Sequence, residues 1–164
     1  MKTDGAAPLS RLVLAGLLTG VTDGIFASVQ SVLSGSTVTR LWQGVASVPL
    51  GPSALEGGTR TALLGVLLHF CTAFWWSAVF FFLYNRSARI REIVRSRYGP
   101  LKVASVYGPF IWILMSLVVI PLFVHHPTVI KPRWWVQFFG HIPFVALPIV
   151  GSIGKGSPDS QARA

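Results

Sequence analysis

Acidic residues are scarce in this chain. Five Asp and Glu stand among 164 residues, and charged residues of both signs make up 12%, about half the share usual in soluble domains. With 52% hydrophobic residues, this excludes an intrinsically disordered chain and argues against a soluble globular one. The single Cys71 excludes an intramolecular disulfide, and its place in an apolar run points to packing rather than redox work. Gly-rich phosphate loops, a nucleophile elbow and paired-cysteine motifs are missing, which removes the commonest sequence signatures of enzymes.

What the chain does have is apolar length. Residues 12–33, 62–84, 103–124 and 134–153 are each long enough to cross a bilayer, since a span needs roughly 20 residues. The expected fold is an all-α membrane protein: one four-helix transmembrane domain over residues 1–154, then a polar, disordered tail over 155–164. The apolar run after Lys2 and Arg11 outlasts a signal-peptide core and has no small-x-small cleavage site, so the first helix should be retained.

The net charge of +9 would suggest nucleic acid in a soluble protein, but here it lies in short loops beside the spans, where it sets topology. Arg86, Arg89, Arg91, Arg95, Arg97 and Lys102 flank one loop, opposed only by Glu92. That loop should be cytoplasmic and touch anionic lipid. Both termini then join it, placing ten basic residues inside against Arg40, Arg60, Lys131 and Arg133 outside. On the outer side, Val38, Leu41, Trp42, Val45 and Val48 recur at helical spacing. They predict a short interfacial helix with Trp42 at headgroup level. The plainer alternative is an amphipathic linker over the bundle mouth.

The first span carries one ionisable residue, Asp23, near its middle. A carboxylate there costs several kcal/mol or so if charged and unpaired. Gly16, Gly20, Gly24 and Ser28 form a small-residue stripe that permits close helix approach and turns Asp23, Thr19 and Gln30 inward. The second span offers Thr61, Gly65, His69, Thr72 and Trp76, and the fourth offers Gln137 and His141. At 1.5 Å per residue Asp23, His69 and His141 lie roughly 15, 12 and 11 Å below the outer ends of their helices. They share one layer with Ser116 of the third span. An Asp beside imidazoles can pass a proton near neutral pH. The plain alternative is a hydrogen bond that merely holds helices together, worth about 0.6 kcal/mol. Proline at 109, 121, 143 and 148 should bend the third and fourth helices, freeing carbonyls that Ser, Thr or water must satisfy. Trp134 and Trp135 should mark an interface.

No cofactor is expected. A metal or haem at His69 and His141 is an alternative without a spacing motif to support it. His125 and His126 read as a solvated interfacial pair beside Pro127.

The first span contains Ala15-Gly16, Gly20 and Asp23, and the second Gly57, Gly58, Thr61, Ala62, Leu64, Gly65, His69 and Phe70. These resemble a pattern in small bacterial membrane proteins of unassigned function, A-G-x-x-x-G-x-x-D followed by G-G-x-x-T-A-x-L-G-x-x-L-H-F. Tyr107-Gly108 and Val119-Ile120-Pro121-Leu122 look like the third helix of that group. The resemblance implies a four-span protein of the bacterial inner (plasma) membrane and supplies no activity.

Transport or proton-coupled binding through Asp23 and His69 is therefore the leading expectation. An accessory subunit of a larger membrane complex, or a homo-oligomer, is the rival that the Gly stripe suggests. A His-ligated cofactor carrier is the third, and no enzymatic reaction is indicated. Charge placement makes a direct prediction: a reporter fused after Arg95 reads cytoplasmic and one after Lys131 reads external. The reverse at both sites would invert the orientation.

Overall fold

A computed structural model describes residues 6–154; Lys2 and the tail at 155–164 lie outside them. The described chain is helical throughout, without strands. Four helices are long and apolar enough to cross a membrane: Pro8–Leu33, Gly58–Arg86, Gly99–Val124 and Pro132–Gly154. The last three begin two to four residues earlier than their apolar runs. Pro100 and Pro132 supply part of the reason, because proline suits a helix's first turn, where its missing N–H has no partner to lose.

Proline separates two kinds of span. Beyond Pro8 the first two contain none and are uninterrupted α-helices. The third and fourth each widen into a π-helical turn, at Met115–Val119 and Ile142–Ala146. In the third, Ile120 N–H bonds five residues back to Met115 O. The next bond in that register would need an N–H from Pro121. Ser116 O, left over, accepts the Thr128 hydroxyl instead. In the fourth, Leu147 N–H bonds five residues back to Ile142 O, and Pro148, without an N–H, can serve neither Pro143 O nor Phe144 O. The first span repairs the latter: Thr22 Oγ1 lies 2.6 Å from Phe144 O while also reaching Leu18 O of its own helix, and Thr19 Oγ1 donates to Val145 O at 3.3 Å.

Large side chains meet small ones where the spans pack. Phe74 lies against Gly16 and Phe70 against Gly20, each ring filling the space a Cβ would take. Phe26 covers Gly140 in the same way. Gly24 differs: an added Cβ would be in ordinary contact, 3.5 Å from His69 and Trp42, so close packing does not require glycine there. Backbones themselves approach at three places, Gly65 beneath the Trp42 carbonyl, Gly108 beneath the His141 carbonyl and Gly99 beneath the Ile93 and Val94 carbonyls. The first span packs on the second and fourth, and the fourth on the third. The second and third meet chiefly through Trp76, Phe80, Tyr107 and Phe110. Tyr107 Oη donates to Trp76 O at 2.8 Å. This contact belongs to a core that also holds Tyr84, Ile149, Val150 and Ile153, toward the end bearing the 86–98 segment.

Two connectors are helical. Val38–Leu50 starts at Thr37, whose side chain accepts from Arg40 N at 3.1 Å, and buries Trp42, Gln43 and Ala46. Gln43 Nε2 and Arg40 Nη1 tie it to the Gly58 and Leu55 carbonyls. Trp42 thus packs against the bundle, where Gly65 lets the helix settle onto the second span. The basic segment contains a further helix, Ala88–Arg95, whose Ile90, Ile93 and Val94 follow helical spacing among the charges. Its Arg91 donates to Tyr84 O and Asn85 O at 3.0 and 2.7 Å, satisfying carbonyls at the end of the second span. Gly65→Val should drive the Val38–Leu50 helix off its seat and lower stability by about 1–3 kcal/mol. Leu67→Val, at an exposed site, serves as the control; equal melting temperatures for the two variants would refute the close approach.

Candidate functional site

Away from the Tyr107 contact, a cavity of about 750 Å³ opens between the second and third spans, with the Val38–Leu50 helix along its wall. Asp23, His69, His141, Thr19, Thr72 and Ser116 all line it. The layer expected from residue depths therefore converges on one space. Gln30 and Thr61 lie outside its lining. Four of the six tryptophans, Trp42, Trp76, Trp112 and Trp134, belong to the wall.

Asp23 and His69 form its centre. Asp23 Oδ2 lies 3.9 Å from His69 Nδ1, and both side chains are mostly buried, 16% and 14% exposed. His69 Nε2 is 3.0 Å from Gly20 O. A carbonyl can only accept, so Nε2 carries a hydrogen. Nδ1 is then the nitrogen left for Asp23, and a bare lone pair there would face a carboxylate. Attraction requires one further proton, held either as imidazolium with carboxylate or as neutral imidazole with carboxylic acid. The contact is therefore one in which the two side chains can hold one proton between them. At 3.9 Å it is an ion-pair contact rather than a direct hydrogen bond, so transfer needs a small closure or a bridging water. Trp42 and Phe70 hold the imidazole, their ring centres 5.1 and 5.8 Å away.

Unmet polar demand gathers around the same space. The buried side-chain atoms without a hydrogen-bond partner among the described residues are Asp23 Oδ1, Trp76 Nε1 and Trp112 Nε1, and all three residues line the cavity. The hydroxyls are occupied: Thr19 bonds Val145 O, Thr72 bonds Leu68 O, and Ser116 Oγ donates to Trp112 O while accepting Trp134 Nε1 at 3.1 Å. That last bond accompanies the burial of Trp134 inside the bundle, while Trp135 remains half exposed.

His141 stands apart from the pair. Its Nδ1 donates to Gln137 O at 2.8 Å and its ring packs on Trp112 at 4.8 Å. No group of three His, Cys, Asp or Glu among the described residues is placed to hold a metal ion. His69 has its Nε2 at Gly20 O and its Nδ1 turned to Asp23.

Sequence reasoning missed Trp112, the apolar third-span face around Met115 and Val119, and the part played by Lys131 and Arg133, all of which line the cavity. Trp112 stands one turn from Ser116, a spacing that would have flagged that face. Comparison with known protein families, curated proteins and solved structures finds no match, so the chemistry of the site rests on its residues.

Asp23→Leu should disturb the bundle less than His69→Asp. The former removes a carboxylate with one unpartnered oxygen, whereas the latter sets two carboxylates against each other, at a cost of about 3–5 kcal/mol. Thermal unfolding in detergent compares them; an equal or larger loss for Asp23→Leu would show that the carboxylate is a structural clasp.

Proposed function

We propose that this protein is a transport or proton-coupled binding protein of a bacterial inner membrane, working through Asp23 and His69. The observation that carries the reading is their contact on the wall of a large cavity, in a geometry that attracts only when one proton is shared. An intramembrane ionisable pair is costly to maintain, and a cavity beside it gives the proton a route and a ligand a place. In this reading both termini and the arginine-rich segment face the cytoplasm, where Arg86–Lys102 meets anionic lipid. The Val38–Leu50 helix lies at the outer face, so the cavity opens outward.

The accessory-subunit alternative drew on the Gly stripe of the first span. Phe70 and Phe74 of the same chain occupy the grooves at Gly20 and Gly16, leaving them filled rather than offered to another helix.

Trp42 lies close enough to His69 to report its protonation. The fluorescence of the reconstituted protein should change with pH, and His69→Gln should remove the change. Asp23→Asn should abolish the protein's cellular phenotype while the variant still inserts and folds. A folded Asp23→Asn protein with an unchanged phenotype would overturn the proposal.

A further inference from the structure

The cavity is polar at two levels and apolar between them. Asp23, His69 and His141 mark the deeper level. Lys131 and Arg133, at the start of the fourth span, mark the other. Lys131 precedes His141 by ten residues, which separates the two levels by roughly 15 Å along the helix. Val45 and Val48 of the connecting helix and Val119, Ile120 and Phe123 of the third span line the cavity as well. Lys131 and Arg133 are exposed, and neither is paired with a carboxylate among the described residues. Asp23 is the one carboxylate in the lining, and it already faces His69.

We infer that this cavity binds a single-chain amphipathic anion, a lipophilic carboxylate. Its head lies at Lys131 and Arg133 and its chain runs along the apolar wall toward Trp112. About 750 Å³ falls within the usual range of ligand cavities, about 300–1,000 Å³. Two cations at the head position offer charge-assisted hydrogen bonds to a carboxylate and repel a lipophilic cation of the same length. The assignment names the substrate class of the site proposed above and rests on that reading. An anion bound together with one proton on the Asp23–His69 pair adds no net charge to the bundle. Because uncompensated charge is costly in a membrane, each is easier to hold in the presence of the other.

Tryptophans in the wall make binding visible. The full-length protein is placed in phosphatidylcholine nanodiscs and titrated with a medium-chain carboxylate brominated at its far end. A saturable quenching component is expected above the linear partitioning background. The unbrominated carboxylate should displace it, and the alkyltrimethylammonium of equal chain length should not. Lys131→Gln combined with Arg133→Gln should weaken it by about tenfold or more, with the melting temperature unchanged because both side chains are exposed. Absence of a saturable component, equal displacement by the cation, or full binding by the double variant would overturn the ligand class. If saturable, head-dependent binding is found but the pH titration of Trp42 is missing, the ligand class stands and the proton-coupled reading fails. A normal titration without saturable carboxylate binding has the opposite meaning.

Discussion

Inside a membrane no water is at hand to satisfy a backbone carbonyl that its own helix has abandoned, and this constraint organises the molecule. Proline in the third and fourth spans abandons carbonyls at known places. Pro148 leaves Pro143 O and Phe144 O, and Pro121 leaves Ser116 O, both prolines being met in a π register. The hydroxyls of Thr22 and Thr128 reach Phe144 O and Ser116 O, and Thr19 reaches the neighbouring Val145 O. The repair fixes the face that the first span presents to the fourth. Asp23 follows Thr22 directly and lies one turn beyond Thr19, so the same repair brings the carboxylate to the cavity wall. Backbone satisfaction and site placement are one structural event.

Packing divides the bundle into a filled part and an open one. Around Phe80, Tyr107 and Ile149 the second, third and fourth spans share a continuous core. Farther along, the second and third spans lose direct contact, and the connecting helix lies beside the space between them. Gly65 is central here, since only a residue without Cβ lets the Trp42 carbonyl approach so closely. The same approach sets the Trp42 ring against His69. A single missing side-chain atom thereby shapes both the wall of the cavity and the environment of its imidazole.

The Asp23–His69 pair is only partly satisfied: Oδ2 faces His69, while Oδ1 has no partner. A pair serving stability alone gains by completing its hydrogen bonds, because a buried unmatched oxygen costs about 1–3 kcal/mol. The other unmatched buried side-chain atoms among the described residues, Trp76 Nε1 and Trp112 Nε1, lie on the same cavity.

Much of this was legible in the residues. Four apolar runs of spanning length, proline confined to the last two, and one aspartate in an otherwise uncharged helix determined an all-helical bundle and its costly position. Counting residues from the span ends even brought Asp23, His69, His141 and Ser116 to one depth, because helical rise is constant. Rotation and neighbours were another matter. The sequence favoured Asp23 with His69 and left the place of His141 open; His69 turns to Asp23 while His141 turns to Gln137 and Trp112. Trp42 and Trp134 pack into the bundle, where Gly65 and Ser116 receive them. The cavity itself has no sequence signature, since it arises where the second and third spans fail to touch. Depth follows from local geometry and can be counted, whereas which side chains meet depends on how distant helices pack, and that only the tertiary structure decided.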